Sequence, residues 1–298
     1  MAQGIQFTSF VPISLVGNNS PSPTLAAEIV TGTPISTGAF PGNVFYLTEK
    51  QANQLSQVSI NSAPLLTCHA GWYMVVKVDA SAVAANIVQG AIGAQVAIPT
   101  TQAEEMANIP PEAVVTDGAT AATASMLGMN PVIFLNAVTP GNFTIVQIAG
   151  DSSVCLAASQ TTVKGSALLS ATPGLADAGG STALTAANIS SVIGLAEEVL
   201  ITPAGALTLS AAAAASGGST VYTGTITGGG TNNFVGLRFV ISGMSAANNS
   251  GPEGFLCTAN DTTTLTLSNP IGAAETHAGT ATSTNLCRTN VAFPNGII

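Results

Sequence analysis

The stretch FTIVQIAGDSSVCLA, residues 143–157, decides the fold class. Apolar and polar residues alternate on either side of a Gly150-Asp151-Ser152-Ser153 cluster, the pattern of half-buried strands around a turn. It reads as a hairpin with strands over 143–149 and 154–158. Working outward, the same short, β-branched style continues at 131–138, 165–171 and 192–196, and upstream at 71–78, GWYMVVKV, where Trp72 is expected in the core. A short strand over 44–47 leads to Thr48, an N-cap candidate for a helix over 49–57. A second helix start is marked by the T-x-x-E capping box Thr101 to Glu104, with Pro110-Pro111 as its stop.

Beyond residue 204 the composition changes. AGALTLSAAAAASGGST, residues 204–220, reads as a linker or the edge of an insertion. Five Thr-rich segments come after it, at 220–227, 234–243, 254–259, 263–268 and 278–284, and their spacing argues a small β-sandwich. GGGTNNF, 228–234, reads as a hairpin turn, without the Lys of a phosphate-binding loop. The expected organisation is an extended arm over 1–36, rich in Pro, Ser, Thr and Gly; a β-rich domain over 37–203 and 286–298; and the sandwich over 204–285, inserted into its last loop. The fold class is therefore mainly β with few short helices.

Composition narrows function. Lys, Arg, Asp and Glu make 6% of the 298 residues, against about 25% in an ordinary soluble domain. With 14 acids, 5 bases and a formal net charge of -9, the chain lacks the cations that neutralise phosphates, so no nucleic-acid partner is expected. Mean hydropathy is positive, +0.47, yet turn residues such as Asn130-Pro131 and Pro140-Gly141 break the uncharged stretches before they reach the roughly 20 residues of a spanning helix. Neither a membrane partner nor a signal peptide is expected, which points to synthesis in a cytoplasm.

The residues that carry chemistry are few. Cys68, Cys155, Cys257 and Cys287 are too scattered for a disulfide framework and read as buried thiols. Of the two histidines, His69 follows Cys68 directly, and strand neighbours point to opposite faces, so the two make a poor nucleophile pair. His277 has Glu275 nearby, which is too few ligands for a zinc site. Glu104-Glu105 belong to a helix start, and Glu197-Glu198 read as a solvated strand end or a contact for a basic partner surface. No catalytic, cofactor or metal residue is assigned, and no enzyme activity is expected.

The residues 139–179, TPGNFTIVQIAGDSSVCLAASQTTVKGSALLSATPGLADAG, with SSVIGLAEE and the terminal VAFPNG, resemble tailed-bacteriophage head decoration (cement) proteins. The matched features are G-x-F-x-x-V-Q-x-x-G, a K-G-S-A-L step, a late I-G-x-A strand and a closing F-P-N-G, over roughly 130–200 and 286–296. FVGLRFVISGMSAANNSGPEGFLCTANDTTTLTLSNP, 234–270, resembles the immunoglobulin-like modules of phage structural proteins, although Ser250 and Pro252-Glu253 widen its central loop. The resemblance implies a protein on the outer capsid surface of a virion, stabilising the shell. Its implied partners are the major capsid protein and neighbouring copies of itself, with a homotrimer as the expected state. The rival reading is a tail or fibre component whose module binds a host surface.

Overall fold

The computed structural model describes residues 44–56, 68–95, 114–117, 131–172, 174–178 and 192–291. The expected arm over 1–36, the capping box at Thr101 and the closing F-P-N-G lie outside the described residues. Within them the chain is mainly β, with sixteen strands arranged as a ten-stranded sheet and a closed six-stranded barrel.

The chain enters through strand β1 (Val44–Leu47), which turns Phe45 and Leu47 inward and Val44 and Tyr46 outward, as a period of two requires. Helix α1 (Glu49–Ser56) starts where the sequence places it. Gln51 Oε1 reaches back to accept from the Thr48 N–H at 2.8 Å and from Thr48 Oγ1 at 2.9 Å. This is the returning half of a capping box, with Gln in the third helical position.

Strands β2 (Gly71–Val78), β3 (Ile92–Gln95), β4 (Val114–Asp117), β5 (Pro131–Phe134) and β6 (Phe143–Cys155) close on one another. The order β2-β4-β3-β5-β6 is completed by a β6–β2 pairing, and only β2–β4 is parallel. Met74, Val76 and Val78 from β2, Val132 and Phe134 from β5, and Val146 and Ile148 from β6 fill the interior with alternate side chains. Gly93 is dictated by this filling: a Cβ there would lie 2.6 Å from the Phe134 ring and 2.6 Å from the Thr116 carbonyl oxygen.

The hairpin expected over 143–158 is instead one continuous strand. Residues 143–150 of β6 pair with β2, and residues 150–155 pair with β16 (Leu286–Val291), so the two halves have different partners and never face each other. Gly150, at φ 100°, bends the strand where the partner changes. The Gln147 side-chain amide donates to the carbonyls of Ala149 and Asp151 across that bend. From β16 the sheet continues through β9 (Val192–Ala196) and β7 (Ala167–Thr172) to β8 (Leu175–Ala178).

After β9 the chain leaves the sheet, builds the barrel and returns as β16, beside the strand it left. The barrel order is β10 (Leu207–Ala212), β11 (Thr220–Thr225), β14 (Thr264–Leu267), β13 (Gly251–Asn260), β12 (Arg238–Ser242), β15 (Gly279–Ser283). Pairing of β10 with β15 closes it. The start of the stretch expected to be a linker or the edge of an insertion is thus the first strand of the inserted barrel, with Leu207, Leu209 and Ala212 buried in its core. GGGTNNF is a crossover rather than a hairpin turn, because β11 and β12 are not neighbours. Asn260 anchors it: its Oδ1 accepts from the Phe234 N–H at 2.8 Å and its Nδ2 donates to the Gly230 carbonyl at 3.0 Å. One apolar cluster runs from Ile133, Val154, Leu168 and Ile193 of the sheet through Leu200 into Leu237, Phe239 and Leu265 of the barrel.

Candidate functional site

The sheet turns Val154, Cys287, Thr289 and Ala196 toward the shared core, so the intervening residues of the same strands form an outer face. Cross-strand register sets its rows, since directly opposite residues share a face. One row is Asp151, Asn290, Leu195 and Ala167 on β6, β16, β9 and β7. Asn290 Nδ2 donates to Asp151 Oδ1 at 2.9 Å. The next row pairs Ser153 with Arg288 and reaches Glu197, whose N–H donates to the Arg288 carbonyl at 2.9 Å.

Charges gather here. Arg288 Nε lies 3.8 Å from Glu197 Oε2, and the Arg288 N–H donates to Glu198 Oε1 at 2.6 Å. The two acids therefore hold β16 to the end of β9. Beyond β9 the alternation continues: Leu195, Glu197 and Val199 look outward while Ala196 and Leu200 are buried. The 162–166 segment lies alongside, with the Thr162 N–H donating to the Leu200 carbonyl at 2.8 Å and the Gly165 N–H to the Ala196 carbonyl at 2.7 Å. It adds Val163 and Lys164. Val163, Leu195 and Val199 are 56%, 54% and 63% exposed, an apolar group rimmed by charges of both signs.

At the β6 border of this face, His69 Nε2 and Ser153 Oγ lie 2.8 Å apart. Tyr73 Oη donates to the His69 carbonyl at 2.6 Å, and Glu49 Oε2 accepts from the Ala70 N–H at 3.2 Å. Burial, and then the positive charge of Arg288, lower the His69 pKa below 6.5, against smaller opposing effects of Glu49, Asp151 and Glu197. A histidine base next to a nucleophile is normally helped by an adjacent acid that stabilises its imidazolium. Here the strongest charge effect on the ring is that of a cation, and Ser153 is buried in mid-strand. The contact suits fastening the start of β2 to β6 better than drawing a proton from Ser153.

That fastening has a pH signature. Between pH 6.5 and the lower folded pKa, the unfolded chain binds a proton at His69 that the folded chain refuses, so this contribution to stability falls as pH falls through that window. Urea denaturation across pH 5 to 8 is expected to show the slope, and His69→Gln is expected to flatten it. An unchanged slope in the variant would assign the effect elsewhere.

Two other clusters are structural. Glu275 does not join His277 as a ligand pair. Its carboxylate accepts from the Asn249 side-chain amide and from the Ser245 and Ala246 N–H groups, and these bonds, Asn249 foremost, lower its pKa. Asn269 Nδ2 donates to Tyr222 Oη at 2.9 Å, and Tyr222 Oη donates to the Asn249 carbonyl at 3.0 Å, so the network closes one end of the barrel. All four cysteines are buried, and burial pushes the thiols of Cys155 and Cys257 to about 11 and that of Cys287 to about 12, away from thiolate chemistry. Glu104-Glu105 lie outside the described residues. Among the described residues there is no group of three or more metal-ligating side chains, and no helix is long and apolar enough to cross a membrane.

Trp72 corrects a sequence expectation. It is 39% exposed and meets Tyr46, 42% exposed, edge to face with ring centroids 5.3 Å apart. The run WYMVV reads as core, but Trp72 sits opposite Tyr46 on short β1, beyond the stretch where Met74 and Val76 enter the ring interior. The outer face escapes sequence reasoning for a related reason: its signal is the shared parity of Leu195, Glu197 and Val199, which says outward only once Ala196 is known to point in and the bulge at Ile193 is known to break the alternation before it. The chain matches no protein-family model, no curated protein and no solved structure.

Proposed function

We propose that this chain is a structural, non-enzymatic protein of a tailed-phage particle, one that binds the outside of the capsid and stabilises the shell. The observation that carries the reading is the outer face of β6, β16 and β9, where exposed Val163, Leu195 and Val199 are rimmed by Glu197, Arg288 and Lys164 in a chain with few charges elsewhere. An apolar centre with a charged rim is the anatomy of a protein contact. The resemblance of 130–200 and 286–296 to head decoration proteins supports the same reading, because the face is built from those segments. The barrel, carried between the adjacent strands β9 and β16, fits the role of the immunoglobulin-like module that such proteins display. On a symmetric shell, many weak contacts of this kind add through avidity.

A second reading, a tail or fibre component binding a host surface, is favoured by the exposed Tyr46 and Trp72 pair, since aromatic faces with a polar edge are suited to contact surfaces. Mass spectrometry of purified particles, with heads separated from tails, distinguishes the two. Hundreds of copies on tail-less heads are expected. Enrichment with tails would transfer the assignment to the second reading, and absence from both fractions would end the virion assignment.

A further inference from the structure

We propose that the outward side of β1, β2 and β6 is a saccharide-binding site, where a neutral pyranose stacks on Tyr46 and Trp72 and hydrogen-bonds to Asp151 and Asn290. The inference goes beyond the capsid reading and does not rest on it, since the site lies on the β1 side of the sheet and would work on a head or on a tail. Register builds it. Leu47, Gly71, Gly150 and Val291 form one row across β1, β2, β6 and β16, and buried Leu47 and Val291 fix that row as inward. The rows on either side of it therefore face outward. One is Tyr46, Trp72 and Ala149, with both rings exposed. The other holds half-buried Asp151 and exposed Asn290, with the Ala70 carbonyl accepting from the Asp151 N–H at 3.1 Å. Two residues separate the rows along the strands, roughly 7 Å.

The chemistry of the two rows selects the ligand. A pyranose has an apolar C–H face and a rim of hydroxyls that both donate and accept. Tyr46 and Trp72 supply the apolar surface. Their edge-to-face contact, with 64° between planes, fills the space between the rings, so the pair does not enclose a cation as an aromatic cage does. Asn290 Nδ2 donates to Asp151 Oδ1 at 2.9 Å, which leaves Asp151 Oδ2, Asn290 Oδ1 and the second Nδ2–H without a protein hydrogen bond among the described residues. Acceptors beside a donor match hydroxyls, whereas a cation uses acceptors alone. Arg288, in the next outward row, is held by Glu197, and Glu49 sits at Ala70, so the border of the site is acidic and disfavours anionic sugars.

Trp72 is the chain's single tryptophan, so its emission reads the site directly. The test titrates the purified full-length chain with cellotetraose, maltotetraose and chitotetraose up to about 10 mM, so that a Kd of about 1 mM is resolved. At least one of the three is expected to shift Trp72 emission and to saturate. Tyr46→Ala and Asp151→Asn change outward side chains, so circular dichroism and Tm are expected to hold while Kd rises about tenfold in each, the scale of one lost ring contact or one charge-assisted hydrogen bond. Asn290→Ala is expected to weaken binding as well. Val235→Ala, at an exposed aliphatic position on the barrel, is expected to leave Kd unchanged. The absence of a saturable response to all three saccharides overturns the inference, as does binding that survives the Tyr46→Ala/Asp151→Asn double substitution. Saturation by choline chloride and by no saccharide would overturn it in favour of a cation site.

Discussion

Phe239→Ala is expected to destabilise the protein by about 3–5 kcal/mol, the range for truncating a fully buried aromatic. Phe239 is 0% exposed, lies 6.1 Å from Phe234 between ring centroids, and sits on β12 between β13 and β15. The consequence extends beyond the barrel. Because Leu200 and Cys287 belong to the same apolar cluster as Phe239, and the Leu156 N–H donates to the Asn285 carbonyl at 2.9 Å, sheet and barrel are expected to unfold together. Trp72, the chain's single tryptophan, reports on the sheet alone. Denaturation followed by both far-UV circular dichroism and Trp72 emission should therefore show both midpoints falling in the variant. A Trp72 transition that stays put while the dichroism falls would make the two parts independent.

Gly150→Val is expected to be comparably severe. At φ 100° a residue with a β-branched side chain is strained, and a Cβ would lie 2.7 Å from the Ala70 carbonyl oxygen and 2.7 Å from Gly71 Cα. Backbone strain of about 1–3 kcal/mol and overpacking against main chain of about 1–3 kcal/mol together give roughly 2–6 kcal/mol. Position 150 is where β6 passes from β2 to β16, so the loss should appear in both halves of the sheet. Thermal denaturation of Gly150→Val beside wild type measures it. A Tm within a degree or two of wild type would mean that the strand bends without needing a left-handed residue there.

Much of the fold is legible in the sequence because strands announce themselves locally. Val44–Leu47, Gly71–Val78 and Val192–Ala196 stand where alternation puts them, and α1 starts at the cap that Thr48 marks. The Thr-rich segments after residue 220 fall on β11 to β15. Misreadings arise where partner choice matters. Gly150-Asp151 has turn chemistry, yet a turn forms only if the flanking strands pair with each other, and here each has a better partner distant in sequence. Residues 207–212 look like a linker or the edge of an insertion rather than core because residues 210–216 are all alanine and serine, yet β15 and β11 bury Leu207, Leu209 and Ala212 from either side. Trp72 looks internal because its neighbours are.

The candidate site divides in the same way. Sequence alone determined that the chain would be mainly β and poor in charge, and it singled out His69, His277 and Glu197-Glu198 for scrutiny. Tertiary structure decided that Glu197 and Glu198 hold Arg288, that His69 meets Ser153 across the sheet, and that Glu275 clamps a barrel loop rather than joining His277. The reason is physical. Strand formation depends on side-chain alternation over a few residues, whereas the outward or inward sense of that alternation, the ring and the barrel depend on which strands pair, and those contacts join residues as far apart in sequence as Ser153 and Arg288.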